Sequence, residues 1–159
     1  MKFLKRKIHA ISINSKKIKK DDIFIAIKGL NFDGHDYINE AFKNGAIAAI
    51  ISDEEKNSSK TILVNDSRKS LADIASLILK KFNPFVIGVT GSNGKTTTKE
   101  IIKSILDLNY GQNKILANRG NYNNDIGLPL TIFNLNSEHS HIVLEMGMNH
   151  ANEISYLAN

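Results

Sequence analysis

The sequence predicts an α/β fold in two parts: a small α/β domain, then the first part of a parallel-sheet domain built around a phosphate-binding loop. Three observations point there. Short apolar runs alternate with helical patterns along the chain, as strands and crossover helices do in parallel sheets. One helical pattern stops at Lys80-Lys81-Phe82-Asn83-Pro84, where proline biases its predecessor away from the helical region, so the domain boundary is placed between residues 1–83 and 84–159. Just beyond it, residues 90–97 form a glycine-bearing loop between an apolar run and a new helical pattern.

The first part opens with apolar runs at residues 23–27 and 46–51, read as buried strands, and a third at 61–64. Between the first two, residues 37–43 suit a short helix with Ile38, Ala41 and Phe42 on one side. From 67 to 82, Leu71, Ile74, Ala75, Ile78 and Phe82 recur at helical spacing, with Asp66 or Ser67 as N-cap. The second part begins with a buried strand at 85–89. A helix at 95–108 follows, with Ile101, Ile105 and Leu108 on one face, then a strand at 142–144 and the start of a helix at 152–157. A doubly wound nucleotide-binding domain needs about five or more strands. Residues 84–159 supply fewer, so the chain is expected to end inside that domain.

Composition bounds the functions available. The 159 residues, 42% of them hydrophobic, can build an ordinary apolar core. The absence of Cys excludes disulfides, thiolate metal sites and a cysteine nucleophile together. The longest apolar run, residues 46–51, falls far short of the roughly 18 residues of a membrane span, and no apolar segment follows the Lys-rich start. A soluble, cytoplasmic chain is expected. The net charge of +5 belongs to one end: residues 1–20 hold eight basic side chains and no acid, so the remainder carries −3. Only Phe3 accompanies those charges, which reads as a solvated basic face and not as a nucleic-acid surface with stacking aromatics.

The chemistry lies in Thr90-Gly91-Ser92-Asn93-Gly94-Lys95-Thr96-Thr97. Gly91 and Gly94 let backbone N–H groups approach phosphate oxygens, Lys95 can reach the β and γ phosphates, and the Thr96 hydroxyl can hold Mg²⁺. The strict spacing of the P-loop pattern is not met, because Val89 stands where its first glycine would be. The bland alternative is a glycine-rich turn before a helix. Such a site also needs an acidic metal partner at the carboxyl end of a neighbouring strand, and Glu145 follows the apolar run 142–144 directly. The alternative there is a carboxylate ending a strand in solvent.

These residues resemble the Mur ligases, the amide-forming enzymes that build the peptidoglycan peptide stem. The loop by itself fits any member, and folylpolyglutamate synthase as well. Two further segments resemble one branch of that family: Gly120-Asn121-Tyr122-Asn123-Asn124-Asp125-Ile126-Gly127-Leu128-Pro129 and Leu144-Glu145-Met146-Gly147-Met148-Asn149-His150. Asp22-Ile23-Phe24-Ile25-Ala26-Ile27-Lys28-Gly29 and Phe32-Asp33-Gly34-His35-Asp36-Tyr37-Ile38 are similar to its nucleotide-sugar domain. Two departures stand out. The family's Asp-Ser-Arg is here Asn14-Ser15-Lys16, and Asp66-Ser67-Arg68 repeats the tripeptide where a helix cap is expected.

The resemblance implies a UDP-sugar substrate domain over residues 1–83 and part of a central ATP-binding domain over 84–159. The rest of that domain and a C-terminal domain would lie outside these residues, so the chain alone is expected to be inactive. It implies ATP and Mg²⁺ as cofactors, with UDP-MurNAc-tripeptide and D-Ala-D-Ala as substrates. ATP would phosphorylate the tripeptide carboxylate, and the dipeptide amine would attack the acyl phosphate. Lys95 would serve the β and γ phosphates, Thr96 one Mg²⁺ and Glu145 a second. Residues Gly91, Ser92, Asn93 and Gly94 would form the cradle, with Thr97 beside it. Ser15, His35, Asn121 and Asn124 would face substrate. Asparagine is also a common turn former and the chain holds 19 of them, so a structural role for the Asn loop stays open. So does a turn-stabilising role for His35, and Arg119 would either meet a phosphate or face solvent. His150 would orient the loop after Glu145, while His9, His139 and His141 read as surface or strand-end residues. The rival classes are a P-loop ATPase unrelated to cell-wall synthesis and a non-catalytic nucleotide-binding module.

Overall fold

The computed structural model describes residues 10–148 together with Ile154 and Leu157. Lys2, Phe3, Lys5, Arg6, Lys7 and His9 lie outside the described residues, as do Asn149, His150 and most of the helix expected at 152–157. The chain divides into two compact units, Met1–Leu71 and Ala72–Asn159. That division falls inside the helix that precedes Pro84, ahead of the break read from the sequence.

The first unit is a four-stranded parallel sheet in the order β1 (Ile11–Ser12), β2 (Ile23–Ile25), β3 (Ala48–Ile51), β4 (Thr61–Leu63). All four residues of β3 are buried, as their apolar run requires. β4 is not the buried strand its apolar run suggests, because it lies at the sheet edge with Ile62 and Leu63 exposed. A single turn of 3-10 helix at Gly34–Tyr37 leads into α1 (Ile38–Lys43), whose Ile38 and Ala41 join Phe24, Ala49 and Ile51 in one core, with Phe42 packed against it. Helix α2 spans Ser67–Phe82 as its periodicity predicts. Asp66 caps it by accepting from the N–H groups of Arg68 (2.8 Å) and Lys69 (3.1 Å).

The second unit holds a three-stranded parallel sheet in the order β5 (Phe85–Val89), β7 (His141–Glu145), β6 (Ile115–Ala117); β5, expected as a buried strand, lies at the edge, with Val89 buried but Phe85 and Val86 exposed. Helix α3 (Lys95–Tyr110) connects β5 to β6, and α4 (Gly127–Ile132) lies between β6 and β7. The sequence reading assigned neither β6, whose apolar run is only three residues, nor α4, whose Gly127 and Pro129 suggest a loop. The helix expected at 95–108 is present, but the face holding Ile101, Ile105 and Leu108 points outward, with those residues 55%, 54% and 88% exposed. The inward face carries Ile102 and Leu106, packed on Val89, Ile115 and Val143, together with the buried Lys99. Among the described residues no helix is long and apolar enough to cross a membrane.

Candidate functional site

The loop after β5 has the geometry of an anion cradle. Gly94 sits at φ 74° as the N-cap of α3, and Gly91 at φ 153°. Side chains rarely adopt either conformation, so glycine is required. A Cβ at Gly94 would meet nothing within 4 Å, which leaves that face of the loop open. Among the described residues, no acceptor takes the N–H groups of Ser92, Asn93 or Gly94. These donors adjoin the positive end of α3, whose first turn contains no acid. Lys95 extends over the loop, its Nζ donating to the Gly91 carbonyl at 2.7 Å.

Glu145 arrives at the same level on the neighbouring strand. The parallel register pairs Val89 with Glu145, and the Met146 N–H continues the ladder to the Val89 carbonyl at 2.8 Å. Only 3% of Glu145 is exposed. Its carboxylate accepts from the Thr96 hydroxyl at 2.8 Å and from the Asn123 amide at 3.2 Å. The loop, the first turn of α3 and the end of β7 therefore meet at one point, as the sequence reading required of Lys95, Thr96 and Glu145. Thr97 is exposed in the same turn. No group of three or more His, Cys, Asp or Glu that could hold a metal exists among the described residues. A hydroxyl and one carboxylate do suit Mg²⁺, which takes one or two protein oxygens and completes its shell with phosphate and water.

The asparagines of the loop have different partners. Asn124 braces the turn that leads into α4, its Oδ1 accepting from Ile126 at 3.2 Å and Gly127 at 2.8 Å. Asn121 is exposed, and Asn123 is the one of the three that touches Glu145. Gly147 allows that approach: a Cβ there would lie 3.1 Å from the Asn123 side chain. The sequence reading missed Asn118, only 1% exposed, which bonds both sides of the Glu145 peptide. The available signal was its place after the apolar run 115–117, a strand end like that of Glu145. Arg119 is exposed and lines a cavity of about 430 Å³ with Leu116, Ala117, Tyr122, Leu130 and Asn134. That cavity includes neither Glu145 nor any loop residue.

Ser15 and His35 belong to the first unit, and both are engaged internally. Ser15 opens a 3-10 turn capped by Asn14, with its hydroxyl donating to Glu40 and its carbonyl accepting from Asn44 at 2.9 Å. His35 is buried, with Nδ1 2.5 Å from Asp33 and Nε2 accepting from the Ser52 N–H at 3.0 Å. Burial pushes the Asp33 carboxyl up, but bonds from the His35 backbone and ring, with attraction to His35 and Lys28, outweigh it and hold Asp33 below the ordinary carboxylate value. In the second unit His141 begins β7, the far end from Glu145, and its ring lies 4.3 Å from that of Tyr110 and 5.7 Å from that of Phe85. His139 accepts from the Asn136 N–H at 3.2 Å.

Comparison with known proteins identifies the family. The catalytic domain of the Mur ligase family matches residues 7–92, and the Mur ligase middle domain matches residues 89–159. The UDP-N-acetylmuramoyl-tripeptide–D-alanyl-D-alanine ligase of Haemophilus influenzae is 38% identical over 94% of this chain and 33% of its own length. The enzyme of the same name from Bacillus subtilis is 39% identical over 95% of this chain and 33% of its own. The crystal structure of MurF ligase from Thermotoga maritima in complex with ADP superposes with a TM-score of 0.85 at 40% identity, covering 99% of this chain and 36% of that one. The chain thus spans about a third of the length of the curated relatives it matches.

Proposed function

The chain belongs to the Mur ligase family, and we propose that it serves the ATP-dependent joining of D-alanyl-D-alanine to UDP-MurNAc-tripeptide. It would supply the nucleotide-sugar domain and the phosphate-binding half of the ATP site. The observation that carries the reading is the 2.8 Å bond between Thr96 and Glu145 beneath an open glycine loop. It brings a hydroxyl and a carboxylate together where N–H donors and Lys95 converge.

The residues present fit a magnesium nucleotide. Lys95 would exchange the Gly91 carbonyl for phosphate oxygens, and the Ser92, Asn93 and Gly94 N–H groups would receive others. Thr96 would hold one Mg²⁺ and Glu145 a second, with Asn123 donating to the other Glu145 carboxylate oxygen. When bound, Mg·ATP supplies the γ-phosphoryl group that activates the substrate carboxylate as an acyl phosphate, releasing ADP; attack by the dipeptide amine then releases phosphate. The protein's own contribution is positioning and charge neutralisation. A reaction drawing on ATP and a nucleotide-linked acid belongs in the cytoplasm.

The test is calorimetric titration of Mg·ADP into this chain and its Lys95→Ala variant. Removing a charged hydrogen-bond donor is expected to cost about 1.5–3 kcal/mol, roughly a tenfold to hundredfold loss of affinity. Unchanged affinity would remove Lys95 from the phosphate site. With the enzyme extended to the length of its relatives, phosphate release that needs neither the tripeptide nor the dipeptide would favour a plain ATPase.

A further inference from the structure

We infer that Lys99 and Asn118 are positioning residues that set Glu145 against Thr96, and so govern the metal dependence of nucleotide binding. The inference rests on the magnesium-nucleotide reading of the site. Lys99 follows Thr96 by one turn of α3 and is fully buried. Burying an ammonium is unfavourable unless it is paired and hydrogen-bonded, so packing alone would favour an apolar residue there. Its Nζ pairs with Glu100 at 2.9 Å and donates to the Asn118 carbonyl at 2.8 Å. That second bond ties α3 to the end of β6.

Asn118 carries the tie onward to β7. Its Oδ1 accepts the Glu145 N–H at 2.8 Å, and its Nδ2 donates to the Glu145 carbonyl at 2.9 Å and to the Tyr122 carbonyl at 2.9 Å. One carboxamide grips the Glu145 peptide on both sides. The hydrogen-bonded circuit closes from Thr96 along α3 to Lys99, through Asn118 to Glu145, and back from the Glu145 carboxylate to the Thr96 hydroxyl. Neither Lys99 nor Asn118 needs to touch the nucleotide. They hold a hydroxyl on one element and a carboxylate on another 2.8 Å apart, where the magnesium nucleotide is proposed to sit.

The experiment measures ADP affinity with Mg²⁺ and with EDTA, well below the melting temperature, for the wild-type chain, Lys99→Met, Lys99→Arg, Asn118→Leu and Asn118→Asp. In Lys99→Met and Asn118→Leu the affinity gain from Mg²⁺ is expected to fall about tenfold, while affinity in EDTA stays within about twofold of wild type. Lys99→Arg, which keeps the donor, should retain the gain. If burial makes Lys99→Met or Asn118→Leu unfold, Asn118→Asp carries the test: it keeps the shape, loses both donated bonds and should lose the gain. Variants that melt earlier but keep the wild-type magnesium gain would overturn the proposal by showing a structural role alone. A wild-type chain that binds ADP no better with Mg²⁺ would overturn the site reading and this proposal with it.

Discussion

Asn118 grips the Glu145 peptide, Asn123 donates to its carboxylate and Asn124 braces the turn into α4, although the three stand in one short segment. A carboxamide can donate, accept or make a turn, and only the tertiary neighbours decide which. This is why the loop was legible as a feature while its members were not. That Lys95, Thr96 and Glu145 come together was legible because strand, glycine, helix start and strand end each leave a local signal. The same limit applies to His35, whose resemblance points to substrate while its ring is held by Asp33 and Ser52. That pair supports a pH prediction. Asp33 is held below its ordinary value of 3.8, so its ionised form stabilises the folded state. The contribution is fully present above the unfolded pKa and disappears as pH falls through the lower folded one. Urea unfolding at pH 6 and at successive steps below pH 4 should show wild type losing more stability than Asp33→Asn across that acidic window. Parallel curves for the two proteins would refute the assignment.

At the scale of elements, α2 was readable from end to end because its apolar spacing and Asp66 cap agree with its packing. Helix α3 was readable in extent but not in orientation. Its inward side includes Lys99 and the Lys103–Asp107 pair, 2.5 Å apart, which a hydropathy pattern scores as solvent-facing. Helix α4 was invisible because glycine and proline are poor helix formers. The structure explains the glycine: a Cβ on Gly127 would lie 2.4 Å from the Tyr122 Cα, so the helix can start there only without a side chain. Gly127→Ala must push aside backbone that leads directly into Asn123. We expect about 1–3 kcal/mol of destabilisation, as for other overpacked positions, measured as a shift in the urea midpoint. A change within about 0.5 kcal/mol, typical of surface substitutions, would mean that the segment yields freely.

For the chain as a whole, apolar surface on the second unit outweighs what its site needs. Ile101, Ile105 and Leu108 form an exposed stripe along α3, opposite the side that packs on the sheet, and Phe85 and Val86 of β5 are exposed as well. Contiguous apolar surface of this kind marks contact with another surface or a tendency to associate. The helical spacing of the stripe, three and four residues apart, makes it one continuous face. Its charge environment gives little protection, because the excess basic residues lie in the first twenty positions and the remainder of the chain is close to neutral. Sedimentation velocity on the 159-residue chain is therefore expected to show concentration-dependent association. A triple variant, Ile101→Lys, Ile105→Lys and Leu108→Lys, should sediment as a monomer. Its Mg·ADP affinity should match wild type, since none of the three side chains belongs to the loop, to Glu145 or to the Lys99–Asn118 tie. A wild-type chain that stays monomeric at all concentrations would show that water tolerates the stripe, and loss of ADP affinity in the variant would show that the two faces of α3 are coupled.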